Sequence, residues 1–253
     1  MAINIGRVPY LSCEPIYFDM ERRGLNLIPL VPSAMAAAAQ EGQIDAAPFP
    51  VVDCARLEAE FNYMTGFCVA TISSAGSVIL NSTKPIQELA GARIGVSEEA
   101  ATAPKLLRVL LTQKYQVEPA TYVSPQEPAE ALLLIGNQGL RNRRGMRGFA
   151  HQYDLGNEWH DWTGMPFVFS RWMVRKDLEP SQAAVVEDSL YVGVQDWADG
   201  LFHLSESRDS LRMHPKDMLT YIQGICYFMG VPEQRGLDRF LQCLEKLQTD
   251  PLS

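Results

Sequence analysis

The chain has 253 residues, 47% hydrophobic and 21% charged, enough for one large domain or two small ones with a real core. Its formal net charge of -8 argues against a nucleic-acid surface, and no apolar run approaches the length of a membrane span. The five cysteines (Cys13, Cys54, Cys68, Cys226, Cys243) are scattered without metal spacing, which fits reduced core thiols of a cytoplasmic protein.

In chain order, residues 3–8 read as a buried strand. They lack the basic leader, long apolar run and small-residue cleavage site of a signal peptide. A proline-bounded loop, 9–15, leads to a helical stretch, 16–23. Residues 25–31 form a second predicted strand. Ser33 stands where an N-cap is expected for the alanine-rich helix 34–40, and Gly42 closes it. Residues 44–49 are a third strand, followed by a loop holding Pro48 and Pro50 and a helix over 52–60. This βαβαβ rhythm argues for a parallel sheet, in which ligands bind beyond the carboxyl ends of the strands. The loops starting at Pro9 and Pro48 would lie there.

Residues 67–80 are apolar with a serine-rich break over 73–77. A short helical turn over 84–91 is stopped by Gly91, and 92–96 is a strand. Residues 97–113 read as an amphipathic helix with Leu106, Leu107, Leu110 and Leu111 on one side. Another short strand falls within 115–123. Glu127 and Glu130 precede the apolar run 131–135, and a basic loop spans 141–147. Residues 154–162 read as a helix and 165–174 as an apolar strand, joined by a Thr163-Gly164-Met165-Pro166 turn. Trp159, Trp162 and Trp172 in this block read as core. Helices follow over 180–199, 215–229 and 231–247. No repeat or low-complexity linker interrupts the chain.

Several of these segments carry a resemblance. Arg7-Val8-Pro9-Tyr10-Leu11-Ser12-Cys13-Glu14-Pro15-Ile16-Tyr17 resembles an R-x-x-[YF]-L-N-x-x-P-L-Y opening. Ser77-Val78-Ile79-Leu80 is similar to a crossover S-V-x-L, and Leu133 to Leu140 to an L-L-I-G-D-x-A-L segment. Asp154-Leu155-Gly156, Glu158-Trp159, Thr163 to Phe169 and Trp172 match closely. Tyr221, Tyr227, Gly236-Leu237 and Phe240 fit the C-terminal helices. On these motifs the chain resembles the futalosine-pathway menaquinone biosynthesis family, specifically its chorismate dehydratases.

The resemblance implies an α/β, two-lobed, periplasmic-binding-protein-like (type II) fold with two crossing strands and a helical C-terminal tail. Lobe one would hold 1–77 plus 173–253, lobe two would be the insertion 78–172, and the ligand would sit in the cleft between them. It implies a cytoplasmic enzyme, without metal or organic cofactor, that dehydrates chorismate to 3-[(1-carboxyvinyl)oxy]benzoate. The alternative is a non-catalytic cytoplasmic solute-binding protein for a small carboxylate. Either way the partner is a chorismate-like small carboxylate, with no nucleic acid and no membrane.

The sequence departs from the family at polar positions. Ser12 replaces the asparagine of the opening motif, and Asn137 replaces an aspartate. A D-x-x-S-R-T-S segment becomes Ser97 to Ala103, keeping Thr102 but placing Ala101 and Ala103 at the arginine and last serine. Ser12 and Thr102 are candidates for catalytic polar contacts, and Glu14 for a general base; a solvated loop position is the other reading of Ser12 and Glu14. Ser97 opens a predicted helix whose N–H groups either receive ordinary capping or hold a ligand carboxylate. Ser77 either hydrogen-bonds a ligand or allows a tight hinge. Arg7, Tyr10, Asn137 and Arg171 complete the candidate substrate contacts. The arginines of 141–147 either close over an anion or form a solvated surface. The histidines (His151, His160, His203, His214) show no metal spacing.

Overall fold

The computed structural model describes residues 3–119, 121–200 and 210–249. Strand β1 (Asn4–Arg7) passes through a 3-10 turn, Leu11–Cys13, into the single-turn helix α1 (Glu14–Tyr17) and a second turn, Glu21–Arg23. Then come β2 (Asn26–Pro29), α2 (Pro32–Gln40), β3 (Ala46–Pro50), α3 (Val51–Leu57) and β4 (Phe61–Thr71). The middle of the chain holds β5 (Ile79–Ser82), β6 (Arg93–Val96), α4 (Thr102–Val109) with a π-helical extension Leu110–Lys114, β7 (Thr121–Val123) and β8 (Ala131–Leu134). It continues with α5 (Gly136–Arg141), β9 (His151–Asp154), α6 (Leu155–Thr163) and β10 (Phe167–Arg175). The last elements are α7 (Pro180–Gly200), α8 (Pro215–Gln223), β11 (Ile225–Phe228) and α9 (Val231–Thr249). No helix among the described residues is long and apolar enough to cross a membrane.

The chain divides into two compact units, Met1–Ala70 with Phe169–Met229, and Thr71–Val168 with Gly230–Ser253. The first is built on a sheet of order β11-β4-β10-β3-β1-β2, the second on β7-β6-β8-β5-β9. β1 runs parallel to β2 and β3, as the βαβαβ rhythm predicts. These units differ from the expected lobes chiefly at the end of the chain: α9 groups with the second unit. The cause is aromatic packing. Phe240 of α9 meets Phe167 at 4.8 Å and Trp159 at 6.0 Å between ring centroids, and a Cβ on Gly236 would lie 2.1 Å from the Pro166 carbonyl oxygen.

Four local expectations are corrected. Helix α2 starts on Pro32, and the cap position is Val31 rather than Ser33. Proline at the first helical position gives up an N–H that the first turn leaves unused anyway. Pro48 and Pro50 lie inside β3, not in a loop. Arg175 N donates to Asp45 O at 2.8 Å, and the ladder runs on through Trp172↔Pro48 to Ser170↔Pro50. Hydrogen-bonded pairs alternate along an antiparallel ladder, so both prolines take positions facing away from β10 and cost it no bond. Helix α4 begins at Thr102 rather than near 97. A helix from 97 would place Pro104 in its interior, against the carbonyl of Ala100; a start at 102 puts it in the first turn. Finally, α8 stops at Gln223 and Gly224, and Ile225–Phe228 joins the sheet as an edge strand instead of continuing the helix.

Candidate functional site

In the first unit, β1 ends on Arg7 and the chain turns inward. Tyr10, Leu11, Ser12 and Cys13 are buried. Ser12 is therefore no solvated loop residue: its carbonyl accepts the Tyr227 hydroxyl at 2.7 Å, and its Oγ lies 3.8 Å from Cys13 Sγ. Burial pushes the Cys13 thiol up to about 12, so it stays protonated and a poor nucleophile at neutral pH. Tyr17 of α1 ties this turn to the strand, donating to Gly6 O at 3.1 Å and accepting from Val8 N at 3.0 Å.

Both candidate arginines are engaged. Arg7 Nη2 donates to both oxygens of Glu14, at 3.0 and 2.9 Å, while its Nε is buried without an acceptor among the described residues. Arg171 sits opposite Phe49 in the ladder, near the same sheet end as Arg7, and its guanidinium stacks 4.2 Å from the centre of the Tyr63 ring.

In the second unit, β6 and β8 run parallel, and β5 is antiparallel to β8 and β9. The carboxyl ends of β6, β8 and β9 and the amino end of β5 therefore share one end of the sheet. That end gathers Ser97, Asn137, Asp154 and Ser77, with Thr102 opening α4. Ser77, Ser97 and Thr102 are buried and Asn137 is half-buried. Ser97 N extends the ladder to Leu133 O at 3.2 Å. Of these hydroxyls, that of Ser97 follows the carboxyl end of a parallel strand, where ligands of such sheets bind, and that of Ser77 donates to Ala75 O at 3.4 Å.

Sequence reasoning missed the residue that organises this end. Asp154 Oδ1 accepts from Ala75 N at 2.9 Å, Gly156 N at 2.9 Å and Asn157 N at 3.2 Å. Its Oδ2 accepts from Gly76 N at 2.6 Å and Ser74 Oγ at 2.9 Å. One carboxylate thus caps α6 and pins the 73–77 segment, and the Ser74 hydroxyl is spent on that clamp. The position just before an apolar-periodic helix signals the cap; the contacts to 74–76 have no local signal. Two glycines let the segment approach. A Cβ on Gly139 would lie 1.9 Å from Ser77 O, and one on Gly156 would lie 2.6 Å from Ser73 O.

A pocket of about 460 Å³ opens within the second unit. Leu132 and Leu134 of β8 line it together with Ser97, and Glu98, Glu99, Arg141 and Met146 surround them. Ser77, Thr102 and Asn137 are not among its lining residues. Of the basic loop, Arg141 thus faces a cavity, whereas Arg143 donates to Leu140 O at 2.9 Å. Among the histidines, His151 opens β9, His160 lies in α6 and His214 precedes α8; His203 lies outside the described residues.

Comparison with known proteins gives the site a context. The family profile described as menaquinone biosynthesis matches residues 3–246. Chorismate dehydratase of Thermus thermophilus is 21% identical over 260 residues, covering 95% of this chain and 94% of that protein. Among solved structures, protein AF1704 from Archaeoglobus fulgidus superposes with a TM-score of 0.76 at 14% identity, covering 98% of both chains. The periplasmic aliphatic sulphonate binding protein SsuA from Escherichia coli does so at 0.62 and 12% identity, covering 99% of this chain and 88% of its own. At such identities the structural likenesses establish the fold, which is the two-lobed periplasmic-binding-protein type.

Proposed function

The chain belongs to the menaquinone biosynthesis family, and on that premise we propose that it is a chorismate dehydratase-like lyase, forming 3-[(1-carboxyvinyl)oxy]benzoate and water. The observation that carries this reading is the likeness to the Thermus thermophilus enzyme along nearly the whole chain. The chemistry suits the residues present. A base takes the proton from the ring carbon bearing the enol ether. The hydroxyl on the adjacent carbon leaves, protonated, as water, and the electron pair completes an aromatic ring. The step balances without an oxidant or reductant. The protein has to orient an anion, stabilise developing charge and exclude bulk water.

In this reading Ser77, Ser97, Thr102 and Asn137 donate hydrogen bonds to the carboxylates and ring substituents, and Tyr10 and Ser12 are further candidate substrate contacts. Arg7 supplies the cation, and Arg171 adds charge nearby in the same sheet. Glu14 is the candidate base. Each of its oxygens already accepts a bond from Arg7, so it would take the proton on a remaining lone pair. We place the reaction in the cytoplasm.

The same Arg7–Glu14 pair favours the second reading, a small-carboxylate binding protein without turnover. A carboxylate committed to a neighbouring guanidinium is poorly placed to act as a base, and Ala101 and Ala103 supply no side-chain donors. Purified protein incubated with chorismate separates the two. Loss of chorismate absorbance with appearance of the aromatic product supports the lyase. Saturable binding by calorimetry with no turnover overturns the lyase and supports the binding protein. Neither binding nor turnover removes both.

A further inference from the structure

We infer that the pocket inside the second unit takes a free apolar α-amino acid, a ligand distinct from the dianion of the proposed reaction. Its volume, about 460 Å³, falls within the roughly 300–1,000 Å³ usual for small-molecule sites. Leu132 and Leu134 form an apolar floor. Glu98 and Glu99 enter from the segment after β6, and Arg141 from the last turn of α5. Opposite charges set beside an apolar floor match a zwitterion: the ammonium group meets the carboxylates, the α-carboxylate meets the guanidinium, and the side chain covers the leucines. Ser97 is shared with the proposed chorismate contacts, whereas Ser77, Thr102 and Asn137 lie outside this lining; a dianion inside it would meet two carboxylates for one cation, so the pocket itself disfavours chorismate.

Two further contacts lie around the pocket. Glu98 Oε1 lies 3.0 Å from the Ser124 hydroxyl, whose single proton Gln126 Oε1 shares. Asn81 is the cross-strand partner of Leu132 and shares its face of the sheet. Its Oδ1 accepts from Gln152 Nε2 at 2.9 Å, and its Nδ2 is buried with no acceptor among the described residues. Asn81 is fully buried and does not itself line the pocket, so it backs the Leu132 floor rather than meeting the ligand.

Calorimetry on the full chain tests this with L-leucine and L-phenylalanine, then with leucinamide, which lacks the carboxylate, and N-acetyl-L-leucine, which lacks the ammonium. The two amino acids should bind saturably and each analogue about tenfold more weakly, a difference of one decade in Kd. Arg141→Gln, at an exposed position, should weaken leucine about tenfold and abolish the preference over leucinamide. The double change Glu98→Gln with Glu99→Gln should abolish the preference over N-acetyl-L-leucine. No saturable binding of either amino acid, or leucine affinity untouched by Arg141→Gln, overturns the inference. The readout does not involve turnover, so leucine binding without chorismate dehydration removes the lyase reading alone.

Discussion

Arg7 ends β1 with its guanidinium bonded through Nη2 to both oxygens of Glu14. A partly exposed pair of this kind contributes about 0–1 kcal/mol to stability, so its weight lies in what Arg7 can offer a ligand. Glu14→Gln should leave the unfolding midpoint nearly unchanged, and it should tighten binding of anionic ligands by about tenfold, an effect that salt then erodes. Turnover should disappear if Glu14 is the base. Calorimetry with chorismate at two ionic strengths, beside the activity assay, reads both effects. Weaker binding in the variant would contradict the pairing argument. Arg7, Ser12 and Glu14 were all visible in the sequence because they sit in one motif. Their pairing was not, since it depends on how the 3-10 turn Leu11–Cys13 folds α1 back toward the end of β1.

At the scale of elements, α6 shows how a short helix is positioned. Gly164 closes it at φ 70°, and Trp159 Nε1 reaches Pro166 O at 3.1 Å, so helix, turn and strand form one packed piece. That much follows from the pattern of the Asp154 to Trp172 block. What the pattern does not carry is Asp154 as a clamp between α6 and the 73–77 segment. Asp154→Ala loses a helix cap worth about 1 kcal/mol and strands the amides of Ala75 and Gly76, for a total near 2–4 kcal/mol. Asp154→Asn should recover part of this, because one oxygen can still accept. Urea unfolding of both variants measures the difference; a loss below about 0.5 kcal/mol in the alanine variant would show the clamp to be redundant. The start of α4 teaches a related point. The leucine periodicity reads smoothly back toward 97, but Pro104 ends the helix at Thr102. A steric stop outranks an apolar stripe when the two disagree.

For the whole molecule, the decisive interaction is the return of α9 to the second unit. Trp159, Phe167 and Phe240 are each no more than 1% exposed and form mutual edge contacts. Gln113 Nε2 adds a bond to Cys243 O at 2.8 Å. Phe240→Ala should cost about 3–5 kcal/mol, as aromatic truncations in a core do. The change should appear in tryptophan fluorescence during unfolding, since Trp159 packs directly on the deleted ring. An unfolding midpoint equal to that of the parent chain would show that α9 is not anchored there.

The sequence by itself determined the α/β class, the parallel start of the first sheet, the order of nearly all elements and the family. These depend on periodicity, on proline and glycine punctuation, and on motifs in which every residue is close to its neighbours along the chain. Only the tertiary structure decided that Pro48 and Pro50 are strand residues, that Arg7 is held by Glu14, that Asp154 serves two segments and that α9 belongs with the second unit. Each of those depends on which groups meet across long sequence separations. A local pattern states what a residue prefers; ladder register, ring packing and the partners of a carboxylate state what it finds.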